Sequence, residues 1–145
     1  GESALLPLAT QAKRLCEQYQ ATLMINGQPG LAESLGAGLH LTSGQLMALQ
    51  ERPLPVGLKV AASCHDAAEL RQAQALGLDF VVLGPVAATR SHPGRVGIGW
   101  TELSSLREQV SIPIYAIGGM NPIDIELARR HGVQGVAGIG AFWPD

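Results

Sequence analysis

The chain has 145 residues, 46% of them apolar and 15% charged, with a formal net charge of −2. That describes one ordinary domain with enough apolar content for a buried core, and it excludes a disordered chain. The basic residues form no cluster and no apolar run reaches the length of a membrane span, so neither nucleic acid nor a membrane is expected as a partner.

Residues 4–19 put Leu5, Leu8, Ala12, Leu15, Cys16 and Tyr19 on one helical face, which predicts a first helix with that face, Cys16 included, buried. Thr22–Asn26 is the first predicted strand. A short helix follows between Leu31 and Leu35, then a strand at Gly38–Leu41, a second short helix between Gly44 and Gln50, and a strand at Leu58–Ser63. Asp66 with Glu69 makes a capping-box-like start for a helix through Leu76. Phe80–Gly84 reads as a strand and Trp100–Val110 as a helix with Leu103, Leu106 and Val110 inward. Ile114–Ile117 is the next strand. Asn121-Pro122 supplies an N-cap and first-turn proline for a helix reaching Arg130, and Gly135–Ile139 is the last strand.

Three of these segments share a plan: "AESLGAGLHL", "AQALGLDFVVL" and "ARRHGVQGVAGI" each end a helix on a glycine and begin an apolar strand soon after. Gly36, Gly77 and Gly132 suit the left-handed position just past a helix end. Strands alternating with helices predict an α/β fold with a parallel sheet, and the continuous apolar runs predict strands covered on both faces. Two architectures remain open. A (β/α) barrel needs eight strands and roughly 250 residues; an open doubly wound sheet suits this length better.

In either architecture ligands bind at the carboxyl ends of the strands. Gly118-Gly119 lies between a strand and a capped helix start, and Gly138 and Gly140 repeat the feature on the next strand. Bare backbone N–H groups there suit a phosphate. The loop after Phe80–Gly84, "LGPVAATRSHPGRVGIGW", offers Thr89, Ser91 and His92 as further anion contacts. Carboxylates are nearly absent from this edge: Asp66 reads as a helix cap, and Asp79 faces the other end. Magnesium would need hard oxygen ligands that the sequence does not visibly supply. Lys13 and Lys59 lie away from the edge, which argues against a Schiff-base enzyme. His40 reads as a satisfied core histidine, His131 as a structural helix-end residue, and His65 as either structural or functional. Ser63, Cys64 and His65 are neighbours, but no orienting carboxylate is evident, so no triad is assigned. Trp100 and Trp143 read as packing residues. Cys16 and Cys64 show no metal spacing and fit a reducing cytoplasm.

"LMIN", "GLHL", "VAASCH", "FVVLGPV", "IYAIGGM" and "GVAGIGAF", in that order, resemble the thiamine phosphate synthase and thiazole tautomerase (TenI) superfamily. With "SHPG" and "GW" the set is most similar to the TenI-like domain fused behind Nudix hydrolases, although no Nudix box occurs in the chain. The resemblance implies a TIM (β/α)8-type barrel that begins here at its second helix, leaving about six strands and two open edges. The expectation is then a single domain over residues 1–145 that is the C-terminal part of a longer chain, or one that completes its sheet as a homo-oligomer.

The resemblance also implies roles. Asn26, Ser63, Thr89, Ser91, Gly118, Gly119 and Gly140 fall at substrate- or phosphate-binding positions, and the strand-end reading adds Gly138. Gly27 and Gln45 stand where a synthase has metal-binding Asp residues, His92 where it has a pyrophosphate Lys, Gly140 where it has a Ser, and Pro85 where the tautomerase has its catalytic His. The expected function is binding of a phosphorylated thiazole or thiamine-related ligand with the catalytic groups partly lost. Ser63, His65 and His92 are the candidates for any remaining chemistry, transferase-like or isomerase-like. A non-catalytic regulatory module attached to a Nudix hydrolase and another phosphate-binding barrel isomerase are the alternatives. No cofactor is evident.

Overall fold

Six parallel strands stand side by side in sequence order: β1 (Met24–Asn26), β2 (Gly38–Leu41), β3 (Val60–Cys64), β4 (Phe80–Leu83), β5 (Ile114–Ile117) and β6 (Gly135–Ala137). They come from a computed structural model that describes residues 2–89, 93–94 and 96–143. The order never reverses, so the sheet has no topological switch point and the doubly wound alternative is excluded. β1 and β6 each pair with one neighbour, so this barrel-type sheet is not closed.

The register sorts side chains into two faces. Asn26 aligns with His40 and His40 with Ala61; Ser63 aligns with Val82, Val82 with Tyr115, and Tyr115 with Gly135. Successive residues point to opposite faces. The intervening residues Leu39, Val60, Ala62, Val81, Leu83, Ile114 and Ala116 are buried in one cluster with the helix residues Leu46, Leu70, Leu103, Leu106 and Ala128. The other face holds Asn26, His40, Ala61, Ser63, Phe80, Val82, Tyr115 and Ile117, of which Ala61 and Val82 are buried and the rest exposed or half-buried. The expectation of strands covered on both faces is therefore corrected. Helices cover one face, and the second carries its own apolar side chains, including a Phe80–Tyr115 edge-to-face pair at 5.5 Å. That filling by Phe80, Val82, Tyr115 and Ile117 hides the period of two in the sequence.

The helices are α1 (Glu2–Gln18), α2 (Pro29–Leu35), α3 (Ser43–Ala48), α4 (Ala67–Ala75), α5 (Gly99–Arg107) and α6 (Ile125–Arg130). Gly36 ends α2 at φ +60°; its N–H bonds Glu33 O while Ala37 N–H bonds Ala32 O. This is the left-handed helix stop its position predicted. α5 stops three residues before Val110, because Gln109 and Val110 take tighter bonds to Leu106 O and Arg107 O. The predicted helix at Asn121-Pro122 opens with a 3-10 turn (Pro122–Asp124), where Asp124 accepts from Asn121 N–H at 2.8 Å.

Two packing expectations fail. On α1 only Ala9 reaches the core, while Leu8, Leu15 and Tyr19 are exposed and Cys16 is half-buried. The amphipathic stripe is real, but α1 lies beside α2 at the β1 side, where no described neighbour covers it. Trp143 is 78% exposed and does not pack, because it follows β6 at the other open edge. Trp100 does pack: it stacks on His131 at 5.1 Å, and His131 Nδ1 hydrogen-bonds Ser104 Oγ at 2.8 Å. His131 is thus structural, as expected. Among the described residues no helix is long and apolar enough to cross a membrane.

The amino ends of β3 and β4 are braced by Asp79. Its Oδ2 accepts from Val60 N–H at 2.7 Å and from Arg52 Nη2 at 2.8 Å, while Arg52 also donates to Leu58 O and Gly77 O. Burial alone would raise the Asp79 carboxyl; hydrogen bonds from Arg52 and Val60, with the charges of Arg52 and Lys59, outweigh it and hold the group below its ordinary value.

Candidate functional site

At the carboxyl ends of the strands lies a cavity of about 610 Å³. Strand order fixes its layout. β2 and β3 deliver Thr42, Ser43, Ser63 and His65 to one side; β5 and β6 deliver Gly118, Gly119, Gly138 and Gly140 to the other. Val82 and Pro85 of β4 and its loop lie between, with Thr89 further along that loop. Of the residues expected at the site, Ser63, His65, Thr89, Gly118, Gly119, Gly138 and Gly140 all line this cavity. Asn26 does not: it is exposed at the end of β1, beside the open edge. Ser91 and His92 lie outside the described residues.

The glycine side is built by close approach. Gly118 has φ +100°, and a Cβ there would lie 2.6 Å from Pro85 Cα. No side chain fits, so the β5 end runs directly against the β4 loop, held by Val86 N–H to Ile117 O at 2.9 Å and Ala87 N–H to Gly118 O at 3.1 Å. Gly118, Gly119 and Gly138 line the cavity with main chain alone, no side chain standing between backbone and cavity. Glycine backbone on a cavity wall is suited to an anion.

The opposite side carries two histidines with different partners. His40 is not a core residue. It stands on the open face of the sheet, with Nε2 at 2.8 Å from Ser63 Oγ. Burial lowers its pKa, so at neutral pH the ring is uncharged and able to share a hydrogen with the Ser63 hydroxyl. The expectation of a satisfied histidine holds; its location is corrected. His65 has the orienting carboxylate that sequence reading missed. Glu69 Oε2 accepts from His65 N–H at 2.6 Å and pairs with Nδ1 at 3.0 Å. An ionised carboxylate only accepts, so Nδ1 bears the hydrogen and Nε2 is the ring's basic atom. The signal was the spacing of four from His65 to Glu69. The capping-box reading assigned that side chain elsewhere, and only the Asp66 half of the box forms, at 2.9 Å to Glu69 N–H. Ser63 bonds His40 rather than its sequence neighbour, so the two histidines form separate pairs and no triad results. Cys64 is no nucleophile: burial, then the charges of Glu69 and Asp66, push its thiol up to about 12.

The carboxyl end of β1 meets that of β2 through Gln45. Its Nε2 donates to Gly27 O at 3.1 Å and its Oε1 accepts from Thr42 N–H at 3.1 Å. A Cβ at Gly27 would come within 3.2 Å of that amide. Gly27 and Gln45, where the resemblance puts a synthase's metal-binding carboxylates, thus hold a backbone turn and an amide bonded to each other. Among the described residues no group of three or more His, Cys, Asp or Glu can hold a metal. The donor set does not fit the ion.

A family model described as thiamine monophosphate synthase matches residues 1–142. The chain belongs to this family. A proposed thiamine-phosphate synthase of Aquifex aeolicus (strain VF5) is 32% identical over 139 residues, covering 95% of this chain and 75% of that protein. The thiamine-phosphate synthase of Thermosynechococcus vestitus is 34% identical, but the match covers only 40% of its length. The solved thiamine phosphate pyrophosphorylase from Pyrococcus furiosus superposes with a TM-score of 0.78 at 24% identity, over 96% of this chain and 67% of that one. That structural likeness supports the barrel-type fold, and the family match accounts for the motif order read from the sequence.

Proposed function

We propose that this member of the thiamine monophosphate synthase family binds a phosphorylated thiazole or thiamine-related ligand, with its phosphate on the glycine side and with a reaction centre altered from that of a synthase. One observation carries the reading. Glycines that follow two adjacent strands line a single cavity, opposite Ser63 and His65, while no carboxylate lines it among the described residues. A synthase reaction must stabilise a departing pyrophosphate, chiefly by charge. This pocket supplies N–H groups, hydroxyls and imidazole instead.

Calorimetry with thiamine phosphate and a thiazole phosphate tests the reading. Heat of binding is expected from a phosphorylated ligand, and its loss when the phosphate is removed. No heat from any of them would overturn the reading. Product formed at useful turnover from a pyrimidine pyrophosphate, thiazole phosphate and magnesium would contradict the altered reaction centre.

The Glu69-held His65 favours a second reading, a phosphate-binding isomerase in which Nε2 moves a proton on the ligand. Its mark is solvent deuterium appearing in the ligand carbon skeleton, lost in His65→Gln. A ligand-sensing module serving a Nudix hydrolase uses the same pocket without proton transfer, and is supported if thiamine phosphate changes such a hydrolase's rate.

A further inference from the structure

We propose that this cavity takes its phosphate ligand without a divalent cation, because no carboxylate lines it among the described residues and the β1–β2 corner beside its Thr42 is closed by an amide clasp. The proposal rests on the phosphate-binding reading above and extends it to the ion requirement.

Magnesium bound beside a phosphate needs one or two protein carboxylates and room for its waters. Among the described residues the acidic side chains that follow β3 and β5 hold local partners and do not line the cavity. Asp66 caps α4, Glu69 holds His65, and Asp124 accepts from Asn121 N–H. At the β1–β2 corner Gly27 has no side chain, and Gln45 fills the space it leaves. Both ends of that amide are used: Nε2 on Gly27 O, and Oε1 on the N–H and hydroxyl of Thr42, at 3.1 and 3.3 Å. Thr42 Oγ1 in turn accepts from Gln45 N–H. The clasp therefore presents the positive end of an amide dipole to Gly27 O. Gln28 Oε1 is a buried oxygen without a partner among the described residues, but Gln28 does not line the cavity and its side chain is a neutral amide. Without carboxylates, phosphate charge falls to the N–H groups of the glycine side, which need no ion to bridge them.

The experiment has two arms. In the first, inorganic phosphate and thiamine phosphate are titrated into the protein by calorimetry with excess magnesium, and again with excess chelator. The dissociation constants are expected to agree within about twofold; a gain of about tenfold or more with magnesium overturns the proposal. In the second, manganese is titrated alone while backbone amide NMR signals are followed. No selective broadening is expected at Gly27, Thr42, Gln45 or Gly118, and selective broadening there overturns the proposal. If neither phosphate binds under either condition, the binding reading falls, and the manganese arm still decides whether the corner holds an ion. The double variant Gly27→Asp, Gln45→Asp is expected to acquire manganese broadening at this corner. A folded double variant that shows none overturns the assignment of the clasp as the reason.

Discussion

Gly118→Ala is the substitution that most directly probes how the glycine side is built. Two costs add. The backbone at residue 118 has φ +100°, a region an L side chain enters at about 1–2 kcal/mol. The new methyl would lie 2.6 Å from both Pro85 Cα and Cβ and 2.9 Å from Val86 N, where unstrained carbon contacts need about 3.5 Å or more. These are main-chain atoms and ring carbons, so they cannot swing aside, and overpacking of this kind costs about 1–3 kcal/mol. Together the variant should lose about 3 kcal/mol and unfold about 10 °C lower. Urea and thermal unfolding read this directly, with Gly140→Ala as the control. Nothing lies within 4 Å of a Cβ at Gly140, so that variant should stay within about 0.5 kcal/mol of wild type. A Gly118→Ala protein as stable as wild type would refute the close approach of the β5 end to the β4 loop.

Arg52→Ala should destabilise the fold by about 2 kcal/mol, since it leaves Asp79 and Leu58 O short of a donor at partly buried positions; ligand affinity should not change, because this brace sits at the far end of the strands. The Asp79 carboxyl is held low in the folded state, so its contribution is full above the unfolded value of about 3.9 and fades as pH falls through the folded one. Asp79→Asn should therefore flatten the acid limb of a stability-versus-pH curve and leave its slope near neutrality unchanged. Cys64 should resist a thiol reagent at neutral pH in the folded protein and react on unfolding, which mass spectrometry can follow. Gly140→Ser should leave stability unchanged and tighten a phosphate ligand by about tenfold, the worth of one added hydrogen bond to a charged group.

The strand-and-helix repeat was legible because its punctuation is local: a left-handed glycine such as Gly36 and a cap such as Asp66 act within a turn of their own position. The glycine side of the cavity was legible for the same reason, since Gly118-Gly119 and Gly138 each follow a strand. What escaped depends on contacts far apart in the chain. His40 meets Ser63 across 23 positions and Gly27 meets Gln45 across 18, so neither pair has a sequence signature. Glu69 escaped although it is close to His65, because two local bonding partners competed for it and only geometry shows which one it takes. The α1 stripe misled for another reason. Apolar periodicity reports a face able to be buried, and residues such as Leu8 and Tyr19 find no described neighbour to bury it.

The most direct test of the account is an amide NMR titration with thiamine phosphate. Shifts should concentrate at Gly118, Gly119 and Gly138, with smaller ones at Ser63 and His65. Shifts absent there, or centred on Lys13 and Lys59 at the opposite end of the sheet, would contradict it.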